Sequence, residues 1–309
     1  MHAPVLKYLD TVVRLGSIRK AAEQLNVASS AINRQLLKLE DMLGTRLFER
    51  LPRGVRLTPA GELLIKHVRN TLRDFDLVRS EIEDLKGLRS GNIIIAATEG
   101  VAAEFLPRVL AEFHKQHLGI TFTVTVLGGE QLISVLRSNE ADIGFMFNPP
   151  QKSGVNWGAS VPLRIGAVMK PDHALAKRRS LRLAECQPYP VILPDMTFPN
   201  RAWLDAAIAG SAVQFHMAVC SNSFQLMREL AREGMGIAFQ TTVGIESELQ
   251  SGELVYVPLS DSMIVPSVLV ALVRAKQELH AAATIFLDDV QKTFSSISTS
   301  RPRSARRQA

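Results

Sequence analysis

Hydrogen-bonding and cationic side chains gather at the start of one short segment, residues 29–43 of this 309-residue chain. They are Ser29, Ser30, Asn33, Arg34 and Lys38. Amide and guanidinium groups can hydrogen-bond base edges, while cations hold phosphates. Such groups at the beginning of a helix that follows a tight turn are typical of major-groove reading. A solvated polar helix face would have the same composition, so this segment alone leaves both interpretations open.

A second cationic cluster follows directly. Pro52-Arg53-Gly54 has a turn composition and lies between two short β-prone runs. The surrounding cluster consists of Arg46, Arg50, Arg53 and Arg56. We therefore predict a basic hairpin wing, with Arg50 and Arg53 in contact with a nucleic-acid backbone.

Three helices are predicted to position these groups, and residues 5–15 and 18–25 form the first two. The third begins with Ser29 or Ser30 as its N-cap and stops at Gly44. Its buried stripe has spacings of four, three and four residues and consists of Ile32, Leu36, Leu39 and Leu43. The result is a helix, a short turn and a helix.

A long helix should follow the wing, because Thr58-Pro59 supplies an N-cap and a proline at the first helical position. Its apolar stripe is Leu64, Val68, Leu72, Phe75, Val78 and Ile82. An apolar stripe on a helix between two domains needs a cover. We expect a second copy of the chain to supply it, making residues 59–90 a dimerising linker helix.

This part of the chain resembles the LysR-type transcriptional regulators. The matching segments are LDTVVRLGSIRKAAEQLNV, INRQLLKLEDMLGTRLFER and RGVRLTPAG, in the order and spacing of that family. Three positions depart from the usual pattern, which has glutamine at Ser29, proline at Ser30 and serine at Asn33. The resemblance implies double-stranded promoter DNA, a small-molecule effector and RNA polymerase as partners, with assembly as a dimer or a tetramer. The three departures affect the expected base preference.

The remaining two-thirds alternate strand and helix patterns, which predicts a mostly parallel sheet with helices on both faces. The predicted strands are 93–97, 120–127, 142–147, 164–169, 190–193, 215–219, 237–239, 254–257 and 267–273. The predicted helices are 102–118, 130–138, 200–209, 222–233 and 276–295. The resemblance implies two Rossmann-like subdomains, as in periplasmic binding proteins, with a ligand cleft between them.

The predicted fold class is therefore α/β, with four parts. They are a winged helix-turn-helix domain at 1–58, the linker helix at 59–90, an effector-binding domain at 91–296 and a disordered basic tail at 297–309. Within the effector-binding domain, subdomain I covers 92–161 and 266–295, and subdomain II covers 162–265.

Polar groups and glycines follow several predicted strands, where ligands of parallel sheets usually bind. The candidate effector-binding residues are Thr98, Glu99, Gly100, Val101, Gly129, Asn148, Thr197, Ser221 and Ser223. Each could instead serve only a turn or a helix cap. Glu99 could be a favourable partner of a helix dipole, or it could accept hydrogen bonds from a cationic or hydroxyl-bearing effector.

Charge, cysteine content and hydropathy indicate a DNA-binding protein of the cytoplasm. Residues 1–91 contain 16 Lys and Arg against 11 Asp and Glu, so the basic surplus lies where DNA contact is predicted. Cys186 and Cys220 are too far apart in sequence for a C-x-x-C pair and are expected to be buried, reduced thiols. No apolar run is long enough to span a bilayer and no secretory signal is evident, which favours the cytoplasm.

Catalytic and metal-site patterns are weak. The sequence GMGIAF at 234–239 lacks the third glycine of a dinucleotide fingerprint and precedes a strand instead of following one. His114 and His117 have no carboxylate or third ligand in a recognised metal spacing. We predict no catalytic residue, metal or cofactor. Two alternatives stay open, an α/β enzyme fused to a DNA-binding front and a non-specific architectural DNA binder.

Overall fold

The computed structural model describes residues 4–299 except 53, 86–90, 104, 152, 197, 210–212 and 276–278. The chain divides into two compact units. Unit 1 contains residues 1–90 and 138–140, and unit 2 contains residues 91–137 and 141–309. No helix in the described part of the chain is long and apolar enough to span a membrane.

Unit 1 contains three short helices, a two-stranded antiparallel hairpin and one long helix. In chain order these are α1 (Pro4–Leu15), α2 (Ile18–Leu25), α3 (Ser29–Leu43), β1 (Phe48–Leu51), β2 (Gly54–Leu57) and α4 (Pro59–Leu85). Leu9 and Val12 of α1 pack against Ile32 and Leu36 of α3 in one apolar core. The helix, short turn and helix predicted from the periodicity are therefore present, with the hairpin after them.

The cap of α3 differs from the prediction. Its N-cap is Ala28, which makes no side-chain cap hydrogen bond, so the assignment of Ser29 or Ser30 as the cap is wrong. Both serines instead lie in the first helical turn and are exposed. The N-cap of α2 is Ser17, whose Oγ accepts a hydrogen bond from Lys20 N at 3.4 Å.

The predicted dimerisation stripe of α4 is partly covered by unit 1 itself. Val68 is fully buried in the helix-turn-helix core, and Leu64 and Leu72 pack against the same core. The assignment of Val68 to a dimer interface is therefore wrong, because α1 already covers it. Only the far end of the stripe is open, where Val78 is 51% exposed and Ile82 is 47% exposed.

Unit 2 contains two five-stranded sheets flanked by helices. The elements in order are β3 (Gly91–Ala97), α5 (Glu99–Ala103), α6 (Phe105–Gln116), β4 (Ile120–Val126), α7 (Gly129–Arg137), β5 (Ile143–Phe147), β6 (Val155–Leu163), β7 (Gly166–Met169), α8 (Leu183–Cys186), β8 (Pro190–Pro194), α9 (Pro199–Ile208), β9 (His216–Ser221), α10 (Phe224–Arg232), β10 (Ile237–Gln240), α11 (Glu246–Ser251), β11 (Val255–Pro258), β12 (Ser267–Arg274) and α12 (Ala281–Thr299).

The sheets are mixed instead of mostly parallel. The first has the order β4-β3-β5-β12-β6 and the second β11-β7-β10-β8-β9. Antiparallel pairing comes from β12 with β5 and β6 in one sheet, and from β7 with β10 and β11 in the other. The sequence patterns missed β6 altogether, because its residues Val155–Leu163 follow a turn-rich stretch and include Pro162.

Each sheet is covered by helices on both faces. The first sheet buries an aromatic-rich core with α6 and α12, including Phe113 and Phe286 with ring centroids 5.1 Å apart. In the second sheet, α10 covers one face through Met227 and Ala231. Parallel strands within each sheet leave the N-termini of α5 and α10 at carboxyl ends of strands, which is where the candidate ligand residues were predicted.

Candidate nucleic-acid interface and ligand cleft

The polar residues of α3 point away from the core. Ile32 and Leu36 are buried, so helical periodicity turns Ser30, Arg34 and Lys38 to solvent. Ser29 is also exposed, and Asn33 is half-buried beside them. The first two turns of α3 thus present hydroxyl, amide and guanidinium groups on one open face, as base-edge contacts require.

Glu40 fixes the hairpin relative to α3. Its Oε1 accepts hydrogen bonds from Leu47 N at 2.7 Å and from Phe48 N at 3.2 Å. Leu47 is only 1% exposed and anchors in the core, and Phe48 begins β1. This carboxylate therefore joins the end of the recognition-helix candidate to the start of the wing. Glu40 lies in the segment that resembles the LysR family, but no local pattern predicts its role.

Two close backbone approaches involve the hairpin, one next to its tip at Gly54 and one just after it at Gly61. Val55 N donates to Gly16 O at 3.0 Å, and a Cβ added to Gly54 would lie 2.3 Å from that same oxygen. Gly61 is equally constrained, because an added Cβ would lie 2.2 Å from Leu47 O. Thr58 Oγ1 accepts from Gly61 N at 3.1 Å, which caps α4 beside the hairpin.

The cations of the wing differ in availability. Arg56 donates to Glu49 Oε2 at 2.6 Å, and this hydrogen bond and the charge of Glu49 raise the pKa of Arg56. Arg50 is exposed on β1. Arg53 lies outside the described residues. The hairpin thus supplies Arg50 as an exposed cation, while Arg56 already has a carboxylate partner.

In unit 2, two of the candidate ligand residues meet across the two sheets. Ser223 Oγ donates to Glu99 Oε1 at 2.8 Å, although the residues are 124 positions apart. Ser223 is the N-cap of α10, and its Oγ also accepts from Leu226 N at 3.3 Å. Ser221 Oγ accepts from Ser223 N at 3.0 Å and holds the cap in place. A carboxylate at this helix N-terminus is electrostatically favoured.

Neighbouring contacts make the junction between the sheets tight. A Cβ added to Gly100 would lie 3.2 Å from the Phe224 ring, so glycine lets α5 approach α10 closely. Phe198 packs edge-on against Phe224 with centroids 4.5 Å apart. A second bridge joins the sheets where Arg108 Nη2 donates to Glu246 Oε1 at 2.7 Å.

Two of the other candidate ligand residues, Asn148 and Val101, have side chains that are already paired or buried. Asn148 Nδ2 donates to Ser267 Oγ at 2.9 Å and its Oδ1 accepts from Val268 N at 2.7 Å, so β12 occupies its amide. Val101 is fully buried in the core of the first sheet, so the prediction is wrong for its side chain. Thr98 precedes α5 and Gly129 begins α7. Thr197 lies outside the described residues.

The two cysteines have opposite environments. Cys186 is buried, and burial together with Glu185 and Asp261 raises the pKa of its thiol to about 12. Cys220 is exposed on β9, so the expectation of a buried thiol is wrong there. Arg201 Nη1 lies 3.9 Å from its Sγ.

Two family models together match most of the chain. The model described as bacterial regulatory helix-turn-helix protein, lysR family, matches residues 5–62, and the LysR substrate binding domain matches residues 86–295. The RuBisCO operon transcriptional regulator of Allochromatium vinosum is 29% identical over 259 residues, which are 82% of this chain and 85% of that protein.

Solved structures show the same fold. A full-length OxyR variant from Pseudomonas aeruginosa is 22% identical with a TM-score of 0.72 and covers 94% of this chain and 95% of that one. Full-length CbnR complexed with its target DNA is 18% identical with a TM-score of 0.62, covering 95% of this chain and 100% of that one. The chain belongs to the LysR family of transcriptional regulators, with an amino-terminal helix-turn-helix DNA-binding domain and a carboxy-terminal effector-binding domain.

Proposed function

We propose that this regulator binds a specific promoter sequence through α3 and the wing, and that a small effector binding beside Glu99 and Ser223 modulates it. The observation that carries the proposal is the hydrogen bond between Glu99 and Ser223, which joins the two sheets of the effector-binding domain near the carboxyl ends of parallel strands. A molecule that binds there changes the relation between the sheets by its differential contacts with the two arrangements.

The positions of the described side chains support separate sets of residues for base contacts and for phosphate contacts. Asn33 and Arg34 lie in the first two turns of α3, where base edges are read. Lys38 lies farther along the same face and Arg50 is exposed on the wing, which supports assigning both to phosphate contacts. Glu40 supports this arrangement because it ties α3 to β1.

The chemistry at the cleft favours an effector with a hydrogen-bond donor. Glu99 is a carboxylate that already accepts from a hydroxyl at 2.8 Å. An amino or hydroxyl group of an effector can replace that partner with similar geometry. The Phe198 and Phe224 rings beside it offer apolar cover. This placement supports an effector role for Glu99 beyond its favourable interaction with the α10 dipole.

The proposed regulator acts as a dimer or a tetramer. The exposed apolar residues Val78 and Ile82 on the far half of α4 support dimerisation through that half, and a pair of such dimers would form a tetramer. The regulator acts on promoter DNA in the cytoplasm, where it meets RNA polymerase, and it has no catalytic activity of its own.

Fluorescence anisotropy with the intergenic DNA beside its own gene and with random DNA tests this function. We expect tighter binding to the intergenic DNA, by about a thousandfold or more, and a change in that ratio when an effector is added. Equal affinity for both DNAs would indicate an architectural binder. Conversion of the added compound to a product would indicate an enzyme.

Glu99→Gln tests the effector part separately. The variant should bind a cationic effector severalfold more weakly than the wild type does. Its DNA binding without effector should be unchanged, because Glu99 lies outside unit 1. Glu130→Gln is the matched control, since Glu130 is an exposed carboxylate in the first turn of α7. Equal effector affinity in all three proteins would reject the cleft around Glu99.

A further inference from the structure

His117, Arg232 and Gln240 of the effector-binding domain each have a buried side-chain nitrogen without a hydrogen-bond partner among the described residues, and Gln240 is the one that ends a strand. Gln240 is the last residue of β10 and is 6% exposed. Its Nε2 has no hydrogen-bond partner among the described residues. Burying an unpaired amide destabilises a protein, so such groups are rare and call for an explanation.

The neighbouring strands explain why Gln240 Nε2 has no partner among the described residues. In the antiparallel pair, Gln240 lies opposite Gly166, which has no side chain. On the other side, β10 pairs in parallel with β8 at Ile237 and Ala238, and β8 ends at Pro194, which has no hydrogen-bonding side chain either. The Tyr256 ring covers Gly166, but the Tyr256 hydroxyl donates to Arg164 O at 2.8 Å.

The strand end that carries Gln240 lies at the sheet edge where α10 begins. Side chains alternate along a strand, so Gln240 shares a face with Ala238, which packs against Met227 of α10. The helix α10 starts, with Ser223 as its cap, at the sheet edge where β10 ends. Gln240 therefore lies beneath the beginning of α10.

The chain after Gln240 leads directly to the residues of the first sheet. Val243 packs in the core of that sheet. A Cβ added to Gly244 would lie 3.4 Å from Gly100 O, and Glu99 immediately precedes Gly100. Gln240 and the Glu99–Ser223 hydrogen bond are thus parts of the same junction between the two sheets.

We propose that Gln240 is a specificity-determining residue of the effector site, with its amide paired to an oxygen of the effector. The inference rests on the proposed cleft. An amide nitrogen donates, so the oxygen belongs to a carbonyl or carboxylate, while Glu99 takes an amino or hydroxyl donor of the same molecule. The effector class is therefore a small amino acid or hydroxy acid.

The test uses the full-length protein and a panel of the L-amino acids with glycolate, lactate and malate as probes. Gln240→Met keeps the length of the side chain and removes the amide. Ligand-free Gln240→Met should melt roughly 2–6 °C higher than the wild type, because it no longer buries an unpaired amide. It should bind the panel compound that stabilises the wild type roughly tenfold or more weakly in calorimetry.

Gln291→Met is the control, since Gln291 is an exposed glutamine on α12, and both its melting temperature and its affinity should match the wild type. A lower melting temperature for Gln240→Met would show that the amide supports the fold and would overturn the inference. So would unchanged affinity for the compound, or a wild type that no panel compound stabilises. If Glu99→Gln weakens binding while Gln240→Met does not, the cleft stands and only the role of Gln240 is rejected.

Discussion

Replacing Glu40 with alanine tests how the wing is held against the recognition helix. The change removes Glu40 Oε1, the single acceptor of both the Leu47 and the Phe48 amides, with bonds of 2.7 and 3.2 Å. Leu47 is almost fully buried, so water cannot easily replace the lost partner at its amide. A hydrogen bond to a charged group is worth about 1.5–3 kcal/mol, and the longer bond at half-buried Phe48 contributes less. We expect a local destabilisation of about 2–4 kcal/mol.

Hydrogen exchange at the two amides measures this effect directly, because a chain with two compact units need not unfold in one step. A loss of about 2–4 kcal/mol corresponds to exchange roughly 30–900 times faster at Leu47 and Phe48. Glu40→Gln keeps one amide oxygen as an acceptor and should fall between alanine and the wild type. Asp41→Asn is the matched control, since Asp41 is an exposed neighbour on the same helix.

DNA binding provides the second measurement. A wing that loses its anchor should lose affinity about equally for promoter and random DNA, with a shallower salt dependence, because backbone contacts carry no sequence information. Unchanged exchange at both amides in Glu40→Ala would refute the reasoning, since the carboxylate would then contribute nothing to the wing. A loss confined to promoter DNA would refute the assignment of the wing to the backbone.

Four further results are expected. Asn33→Ala should weaken binding to promoter DNA by about 1–3 kcal/mol more than to random DNA, as measured by anisotropy, and equal losses would mean that it reads no base. Changing Val78 and Ile82 together to Glu should yield monomers in sedimentation, and a dimer of wild-type affinity would exclude that half of α4 as the interface. Iodoacetamide at pH 8 should modify exposed Cys220 and spare buried Cys186, as mass spectrometry would show, because thiolate is the reactive form. Since burial raises the pKa of Cys186 to about 12, stability should fall as the pH rises above the ordinary thiol pKa toward that value, and a Cys186→Ala variant should lack that component.

Local patterns were sufficient for the elements of unit 1. The stripe of Ile32 and Leu36 predicts α3 and its buried face, and Pro59 predicts the start of α4. These features depend on residues within a few positions of one another, so periodicity and cap chemistry report them. The wrong cap for α3 has a local reason too, because Ala28 adopts the extended N-cap backbone without a side-chain bond.

Local sequence patterns could not predict which side chains are buried, or hydrogen-bonded, by residues from distant parts of the chain. The stripe on α4 looks continuous in sequence, yet α1 covers Val68 and leaves Ile82 exposed. Asn148 has the residue type of a ligand contact, yet β12 occupies its amide. In both cases the deciding partner comes from another element, and no spacing rule reports it.

Local periodicity, capping residues and charge are enough to predict a basic helix-turn-helix front, a long helix and an α/β remainder. Which polar groups form hydrogen bonds with each other depends on contacts between distant residues in the folded chain. Strand order and register bring Glu99 to Ser223 across 124 positions and leave Gln240 Nε2, on the residue opposite Gly166, without a partner among the described residues. The physical reason is that hydrogen-bond pairing and burial depend on distances in space, which strand order and register set and which sequence separation does not encode.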